Sequence, residues 1–324
     1  MKSKKILLVP IVAISLTGCS GVHHDISEYI LTVKKRKPDF TILQLTDFHF
    51  GEKDNLEIHK KFIDLTIKDA NADMIVVTGD LFTFASRDTA KDVFKFLDSY
   101  NIPWTVTWGN HDEQCYFSID WVTNLLNNYG SNCLFIDHQD DDVHGNANFA
   151  INVMDGETIF EQLIIMDSNR YNFATMGYDC FKQDQIDWYA SLIDYTKKQN
   201  NDVAVDSLMF YHIPLPEIDA AYDIGKDNLL FGSKGEKCCP PNSDPGFFKV
   251  IKEKGSTKAM FFGHDHDNDF GVNYEGVDFI YGTKSTNLVY YTEDKLGGLK
   301  IKIDANHALD YQQILHTYSQ VEGK

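Results

Sequence analysis

The stretch that decides the fold is FTILQLTDFH, residues 40–49. Its first six residues are mostly apolar, as in a buried β-strand, and Asp47 and His49 follow at the end of that run. Helical periodicity over 56–70, a strand over 74–77, a helix over 89–100 and a strand over 103–107 come next. These are βαβ units of roughly 30 residues, as a parallel crossover requires.

Each predicted strand in this first half is followed closely by a side chain that can bind a metal ion. Asp47, Asp80 and Asn110 are separated by 33 and then 30 residues, so they occupy the same place in successive units. In an open α/β sheet this place lies outside the carboxyl ends of the strands, where ligands bind. We therefore expect the three side chains to converge.

The chain becomes more β-like beyond a predicted helix over 118–128. We predict strands over 149–153, 163–166, 208–211 and 259–262, and a long helix over 183–198. Segments 277–281, 288–291, 299–303 and 311–315 alternate in the manner of antiparallel strands. We expect one α/β domain over residues 39–324, of four layers, in which two mixed β-sheets pack as a β-sandwich flanked by helices.

Metal-binding residue types concentrate in five short segments: Asp47-Phe48-His49, Gly79-Asp80, Gly109-Asn110-His111-Asp112, His212 and Gly263-His264-Asp265-His266. Asp-x-His and Gly-Asp alone are weak signals, whereas Gly-Asn-His-Asp is much more specific, and five of the twelve histidines fall in these strand-end positions. Asp-x-His and His-x-His in extended backbone would place both side chains on one side, within reach of one ion. Carboxylate, amide and imidazole groups that converge can hold two divalent ions, and such centres hydrolyse phosphate esters.

The overall charge argues against one class of partner. The formal net charge is -18, and removal of residues 1–18 would make it -21 because three lysines and no acids are lost. Such a surface repels polynucleotides, so nucleic-acid binding through a basic face is excluded. A phosphate-ester substrate remains compatible with this charge, because bound metal ions supply local positive potential.

The N-terminus has the pattern of an export signal. Three lysines precede eleven apolar residues over 6–16, which is too short for a membrane span but suits a signal-peptide core. Residues 16–19, LTGC, resemble the lipobox of bacterial lipoproteins. We therefore predict a signal peptide over 1–18, lipidation of Cys19, a tether over 19–38, and an extracytoplasmic, membrane-anchored protein. A plain secretory signal is the alternative.

Five cysteines remain beyond the lipidation site: Cys115, Cys133, Cys180, Cys238 and Cys239. An odd number leaves at least one thiol free if the others pair. Their pairing is open, and a vicinal disulfide between Cys238 and Cys239 is one alternative.

From Phe40 onward the chain resembles calcineurin-like metallophosphoesterases, because the pattern D-x-H, G-D, G-N-H-[DE], H, G-H-x-H is complete. Segments 42–49, 108–112, 211–217 and 263–270 are similar to the branch of purple-acid-phosphatase-like phosphatases. The resemblance implies a first metal site of Asp47, His49 and His266, a bridging Asp80, and a second site of Asn110, His212 and His264. It also implies attack on phosphorus by a metal-bridging hydroxide, with His111 beside the scissile phosphate and Asp112 as its orienting partner.

One position departs from the purple enzymes. Thr83 stands where they carry a tyrosine ligand, and His49 fills a ligand place that they lack, so we do not expect a purple protein. The ligand set suits two divalent or mixed-valence ions of Mn, Fe or Zn about equally. Oligomeric state is open.

Substrate choice is expected to come from loops around the metals. Residues 232–248 are the candidate rim, and Arg170 and Asn242 are candidate substrate contacts; a surface ion pair is the alternative for Arg170. Both a monoester and a diester are compatible with the sequence. The alternatives to a phosphatase are a phosphodiesterase acting on nucleotides or lipid headgroups, and a catalytically silent surface binding protein on the same fold.

Overall fold

The structure, a computed structural model, describes residues 24–138 and 143–322. The predicted signal peptide over 1–18 and the predicted lipidation residue Cys19 lie outside the described residues. Among the helices of the described ranges, none combines the length and the apolar character that crossing a bilayer requires.

The predicted tether over 19–38 contains folded structure in its second half. Residues Ile26–Tyr29 form a 3-10 helix, and β1 (Ile30–Lys34) pairs in parallel with β5 (Phe149–Asp155). Tyr29 and Val33 are buried, so this segment gains apolar contacts that a free tether would lack. The folded domain therefore begins ahead of residue 39.

The first sheet is built on the three predicted βα units. Its parallel strands are β2 (Phe40–Leu45), β3 (Met74–Thr78) and β4 (Trp104–Thr107), and its helices are α1 (Leu56–Ala70), α2 (Arg87–Asp98) and α3 (Ile119–Asn127). Strands β13 (Gly297–Ile303) and β14 (Leu309–Leu315) extend the sheet in antiparallel pairings. The strand order is β14-β13-β2-β3-β4, so these units form one side of the predicted sandwich.

The second sheet contains β1, β5 and five later strands. These are β6 (Thr158–Ile165), β9 (Ser207–Phe210), β10 (Thr257–Phe262), β11 (Gly271–Tyr274) and β12 (Val277–Tyr281), in the order β1-β5-β6-β9-β10-β12-β11. Strands β6, β9, β10 and β12 run parallel, whereas β5 is antiparallel to β6 and β11 to β12. The remaining α-helices and strands are α4 (Gln183–Gln199), α5 (Ile218–Gly225), α6 (Phe247–Lys254), α7 (Ser319–Glu322) and a small hairpin of β7 (Tyr171–Asn172) and β8 (Gly177–Tyr178).

Successive side chains of the second sheet point to alternate faces, and this divides the core into two layers. In β10, Ala259 and Phe261 join the apolar residues of the first sheet, whereas Met260 and Phe262 join a layer formed with α4 and α6. This is the consequence of side chains pointing to opposite faces of a strand. The two mixed sheets therefore pack face to face with helices outside, and the predicted fold class is confirmed.

Two predictions for the last quarter of the chain are wrong. Residues 288–291 form a loop rather than a strand, with Val289 at φ 64° and Tyr290 44% exposed. Strand β12 is not purely antiparallel, because it pairs in parallel with β10. β-branched and aromatic residues are typical of strands, but in this loop they lie at the mouth of the site described below.

The five described cysteines are all free thiols, so the suggested vicinal disulfide between Cys238 and Cys239 does not form in this structure. Burial raises the pKa of the Cys115 thiol to about 12. A thiol of this kind stays protonated at neutral pH and is a weak nucleophile.

Candidate metal centre

Loops from both sheets meet at one edge of the sandwich. Asp47 and Asp80 follow strands of the first sheet, whereas His212 and His264 follow strands of the second. These four side chains are at most 7% exposed. Their ligand atoms form overlapping groups within 4.8 Å, namely Asp47 with His49 and His266, His49 with Asp80 and His111, and Asp47 with Asp80 and His212. Because the groups share Asp47, His49 and Asp80, they make one continuous cluster.

The residues expected to hold the first metal lie in direct contact. Nε2 of His266 lies 2.9 Å from Nε2 of His49 and 3.5 Å from Oδ1 of Asp47. Nδ1 of His266 lies 2.9 Å from the carbonyl oxygen of Tyr290. A carbonyl only accepts, so Nδ1 donates and Nε2 presents its lone pair to the cluster, as a metal ligand must.

The residues expected to hold the second metal leave buried polar atoms without partners. Within the described residues, Asn110 Oδ1 and His264 Nε2 are buried and make no hydrogen bond. An unsatisfied buried polar atom costs about 1–3 kcal/mol. The third atom, Nε2 of His212, is ion-paired with Oδ2 of Asp80 at 3.2 Å, and Nδ1 of the same ring donates to the Thr78 carbonyl at 2.8 Å. These three atoms and the Asp80 carboxylate therefore fit a second cation.

The electrostatics of the cluster keep most of these ligands in their binding form. Burial lowers the pKa of His264 to about 3 and that of His49 well below its usual value, so both rings are neutral. Burial acts to raise the pKa of Asp47, but the nearby positive charges of His212 and Lys284 hold it well below its usual value. Burial opposes protonation of His212, yet the Asp80 carboxylate raises its pKa to about 10. A metal ion must therefore displace a proton to bind at that nitrogen.

Several of the ligand residues have a left-handed backbone conformation, which orients their side chains. Asp47, His49, Asp80 and His264 have φ values of 55°, 53°, 49° and 82°. The extended backbone predicted for Asp-x-His and His-x-His is therefore wrong, and these side chains converge through tight turns. Non-glycine residues in this region are strained, and such strain concentrates at functional sites.

Two glycines ahead of ligands are required by close approach. A Cβ atom on Gly109 would lie 2.2 Å from Oδ1 of Asp80, and one on Gly263 would lie 2.4 Å from Oδ2 of Asp47. Real Cβ atoms essentially never come within 3.0 Å of such neighbours. The glycines of the G-N-H-D and G-H-D-H segments thus let the backbone pass directly beside the two carboxylates.

His111 lies beside the cluster, but its predicted orienting partner does not contact its ring. The carboxylate of Asp112 is buried and accepts from the backbone N–H groups of Phe82 and Gly109, at 2.9 and 2.8 Å. The His111 ring instead contacts Oε1 of Gln114 through Nδ1 at 2.9 Å. The expected orienting role of Asp112 is therefore wrong. Its short side chain joins the loop of Asp80 to the loop of Asn110, because two buried N–H donors draw the carboxylate there.

Several contacts behind the ligands were not found from the sequence. Thr83 Oγ1 lies 2.9 Å from Nδ1 of His49, so Thr83 supports the orientation of this predicted ligand. Lys284 is 1% exposed, donates to the Asp47 carbonyl at 2.9 Å, and has its pKa lowered to about 8 by burial. The sequence feature that could have indicated Lys284 is its position three residues after the predicted strand over 277–281.

The predicted substrate contacts lie outside the cluster of ligand atoms. Arg170 is ion-paired with Glu113, as the alternative reading of that arginine anticipated, and its side chain is 32% exposed. Asn242 is exposed, with its side-chain nitrogen near Gly177 of the β7–β8 hairpin. In the predicted rim over 232–248, Glu236 accepts from the Tyr290 hydroxyl at 3.1 Å.

Known proteins are similar to this chain in sequence. Residues 40–268 match the family profile described as calcineurin-like phosphoesterase. The chain is 26% identical over 279 residues to "Probable inactive purple acid phosphatase 29" of Arabidopsis thaliana. The alignment covers 75% of this chain and 71% of that protein. It is 24% identical over 261 residues to "Phosphatase DCR2" of Saccharomyces cerevisiae, covering 71% of this chain and 44% of that protein.

A solved structure of a dimetal phosphatase from Danio rerio has a similar fold. It superimposes with a TM-score of 0.52 at 15% sequence identity, covering 86% of this chain and 99% of that one. At this identity the likeness concerns the fold alone.

Proposed function

The chain belongs to the calcineurin-like phosphoesterase family, and from this premise we propose that it hydrolyses a phosphate ester at a two-metal centre. One observation carries the proposal: Asn110 Oδ1 and His264 Nε2 are buried without partners, next to His111 and His212, which both lie in ligand groups with Asp80. In a protein that bound no metal, those unsatisfied atoms would destabilise the fold with no compensating interaction.

Each residue of the cluster has a distinct part in this proposal. Asp47, His49 and His266 would hold the first ion, Asn110, His212 and His264 the second, and Asp80 both. When bound, two such ions polarise phosphoryl oxygens and lower the pKa of water enough for attack on phosphorus. Mn, Fe and Zn all suit this donor set.

His111 is placed to assist departure of the alcohol. One of its ring nitrogens lies within 4.8 Å of ligand atoms of His49 and Asp80, and its backbone N–H donates to Oδ1 of Asp80 at 2.7 Å. The ring is partly exposed, so it can exchange protons with water. It would bind a phosphoryl oxygen or donate a proton to the leaving oxygen, while Gln114 holds the other ring nitrogen.

Hydrolysis of 4-nitrophenyl phosphate and its bis-ester, with Mn, Fe or Zn, tests the proposal and distinguishes monoesterase from diesterase activity. Asp80→Asn should abolish most turnover, and His111→Ala should reduce it by about 10²- to 10⁴-fold. His307→Ala is the matched control, because His307 lies 3.2 Å from Glu161 and contacts none of the ligands. Measured two-ion occupancy without turnover of either ester would refute the enzyme assignment.

A catalytically silent binding protein is the second candidate. It is favoured by the names of three relatives, which are described as probable inactive purple acid phosphatases. The metal-binding cluster of this chain argues for the enzyme, since Asp80 and all the histidines of the pattern are present. The same assay separates the two candidates.

We also propose that the protein acts outside the cytoplasm, anchored through a lipid on Cys19. The support is the LTGC segment, which begins at the last residue of an eleven-residue apolar run. The full chain expressed in a bacterium should partition into the detergent phase of Triton X-114, and Cys19→Ser should move it to the aqueous phase. Equal partitioning of both would contradict the anchor.

A further inference from the structure

A cleft of about 360 Å³ opens directly on the first-metal ligand His49. Thr83, Phe84, Tyr116, Leu288 and Val289 are among the residues that line it. Its volume falls within the range of small-molecule sites. The cleft therefore has room for a chemical group attached to a phosphate at the metal centre.

The walls of this cleft combine backbone strain with exposed apolar side chains. Phe84 has φ 53° and is 55% exposed, and Val289 has φ 64° and is 60% exposed. A bulky or β-branched residue in the left-handed region is a genuine outlier, costing about 1–3 kcal/mol. Neither side chain recovers that cost by burial in the core. The strain instead holds apolar surface toward the cleft.

Phe84 and Val289 are each adjacent in sequence to a residue that contacts a ligand of the first metal. Phe84 directly follows Thr83, which contacts Nδ1 of His49 at 2.9 Å. Val289 directly precedes Tyr290, whose ring stacks on that of His266 at 4.1 Å between centroids. The position of the cleft relative to the metal centre is therefore fixed by short, defined contacts.

Tyr116 lines the same cleft as Phe84 and is tied to the residue that follows Phe84. Its backbone N–H donates to the carbonyl of Ala85 at 2.9 Å, and its ring is 66% exposed. It lies five residues after His111, the candidate proton donor to the leaving oxygen. The cleft thus lies between the ligand His49 and the segment that begins at His111.

We propose that this cleft binds the leaving group of the ester, and that Phe84 and Tyr116 favour alcohols bearing a flat apolar ring. The proposal rests on the proposed hydrolysis. Aromatic faces stack on such rings. The charged part of the lining, Glu52, Lys53 and Asp54, is negative by one unit, which disfavours a leaving group with a further phosphate.

The test compares two esters, 1-naphthyl phosphate and glycerol 2-phosphate, in the full metal-loaded chain. Phe84→Asn removes the ring while asparagine tolerates the left-handed backbone. Loss of one stacking contact should raise KM for the naphthyl ester about five- to tenfold. KM for the glycerol ester and the content of two metal ions should stay within about twofold of wild type. Phe173→Ala is the control, because Phe173 is 81% exposed on the separate β7–β8 hairpin.

Equal losses on both esters in Phe84→Asn, or a selective loss in Phe173→Ala instead, would overturn the cleft assignment. Naphthyl fluorescence, which reports binding without turnover, separates this inference from the proposed function. If no ester is hydrolysed but Phe84→Asn still weakens naphthyl phosphate binding selectively over inorganic phosphate, the cleft assignment stands and the proposed function fails. Unchanged binding in that variant overturns the cleft assignment whether or not turnover occurs.

Discussion

Adding one methyl group at Gly109 tests whether the glycines of the site are there for close approach. Gly109 lies outside the left-handed region, so alanine fits its backbone. The new Cβ atom would lie 2.2 Å from Oδ1 of Asp80, so it or the carboxylate must move by about 0.8 Å or more. Metal–ligand distances tolerate only about 0.2 Å. We expect metal affinity to fall about 100-fold, which corresponds to about 2.7 kcal/mol.

Calorimetric titration with Mn²⁺ measures this effect directly, and circular dichroism of the chelated protein reports whether the fold persists. Gly130→Ala is the matched control, because its Cβ would meet Asp98 at an ordinary 3.5 Å. Gly109→Ala should lose affinity while keeping its secondary structure, and Gly130→Ala should match wild type. Wild-type affinity in Gly109→Ala would show that the carboxylate of Asp80 is not held against this backbone.

Three further predictions concern groups behind or away from the ligands. Tyr290→Leu should weaken binding of one ion about tenfold in the same titration, because the stacked ring that orients His266 is lost. Ser168→Ala should lower the free energy of unfolding in urea by about 1–3 kcal/mol, because Ser168 Oγ accepts from the buried N–H group of His212. Burial raises the pKa of Glu161 from 4.5 to about 8, so the folded state retains a proton that the unfolded chain loses in this window. The free energy of unfolding should therefore fall as pH rises from about 5 to 8, by on the order of a few kcal/mol. Thermal melts of Glu161→Gln should show a weaker fall, and an unchanged slope would contradict the assignment.

Local periodicity was enough to predict the first sheet. The strand Phe40–Leu45 and the helix Leu56–Ala70 have the predicted bounds, because each buries one pattern of apolar residues that the sequence displays directly. The same periodicity argument gave a wrong prediction for the segment 288–291, which is a loop. Its valine and tyrosines resemble a strand, but Tyr290 stacks on His266 and Val289 lines the cleft, which composition does not reveal.

The ligand-forming residues were predictable because each follows a strand. Asp47, Asp80 and His212 come together since the carboxyl ends of parallel strands share one edge of each sheet. Lys284 and Gln114 were missed, because their contacts depend on the path of loops rather than on any repeating pattern. The error over Asp112 has the same origin, since adjacency to His111 in sequence did not determine which donors its carboxylate meets.

Metal content of the protein purified without chelator tests the central claim most directly. We predict two ions per chain in the wild type by inductively coupled plasma mass spectrometry. His264→Ala should retain one ion, because Asp47, His49 and His266 remain intact in that variant. Asp80→Asn should bind fewer than two, since both sites share this carboxylate. A wild-type chain that binds no ion under any loading condition, or an Asp80→Asn chain that still binds two tightly, would contradict the account.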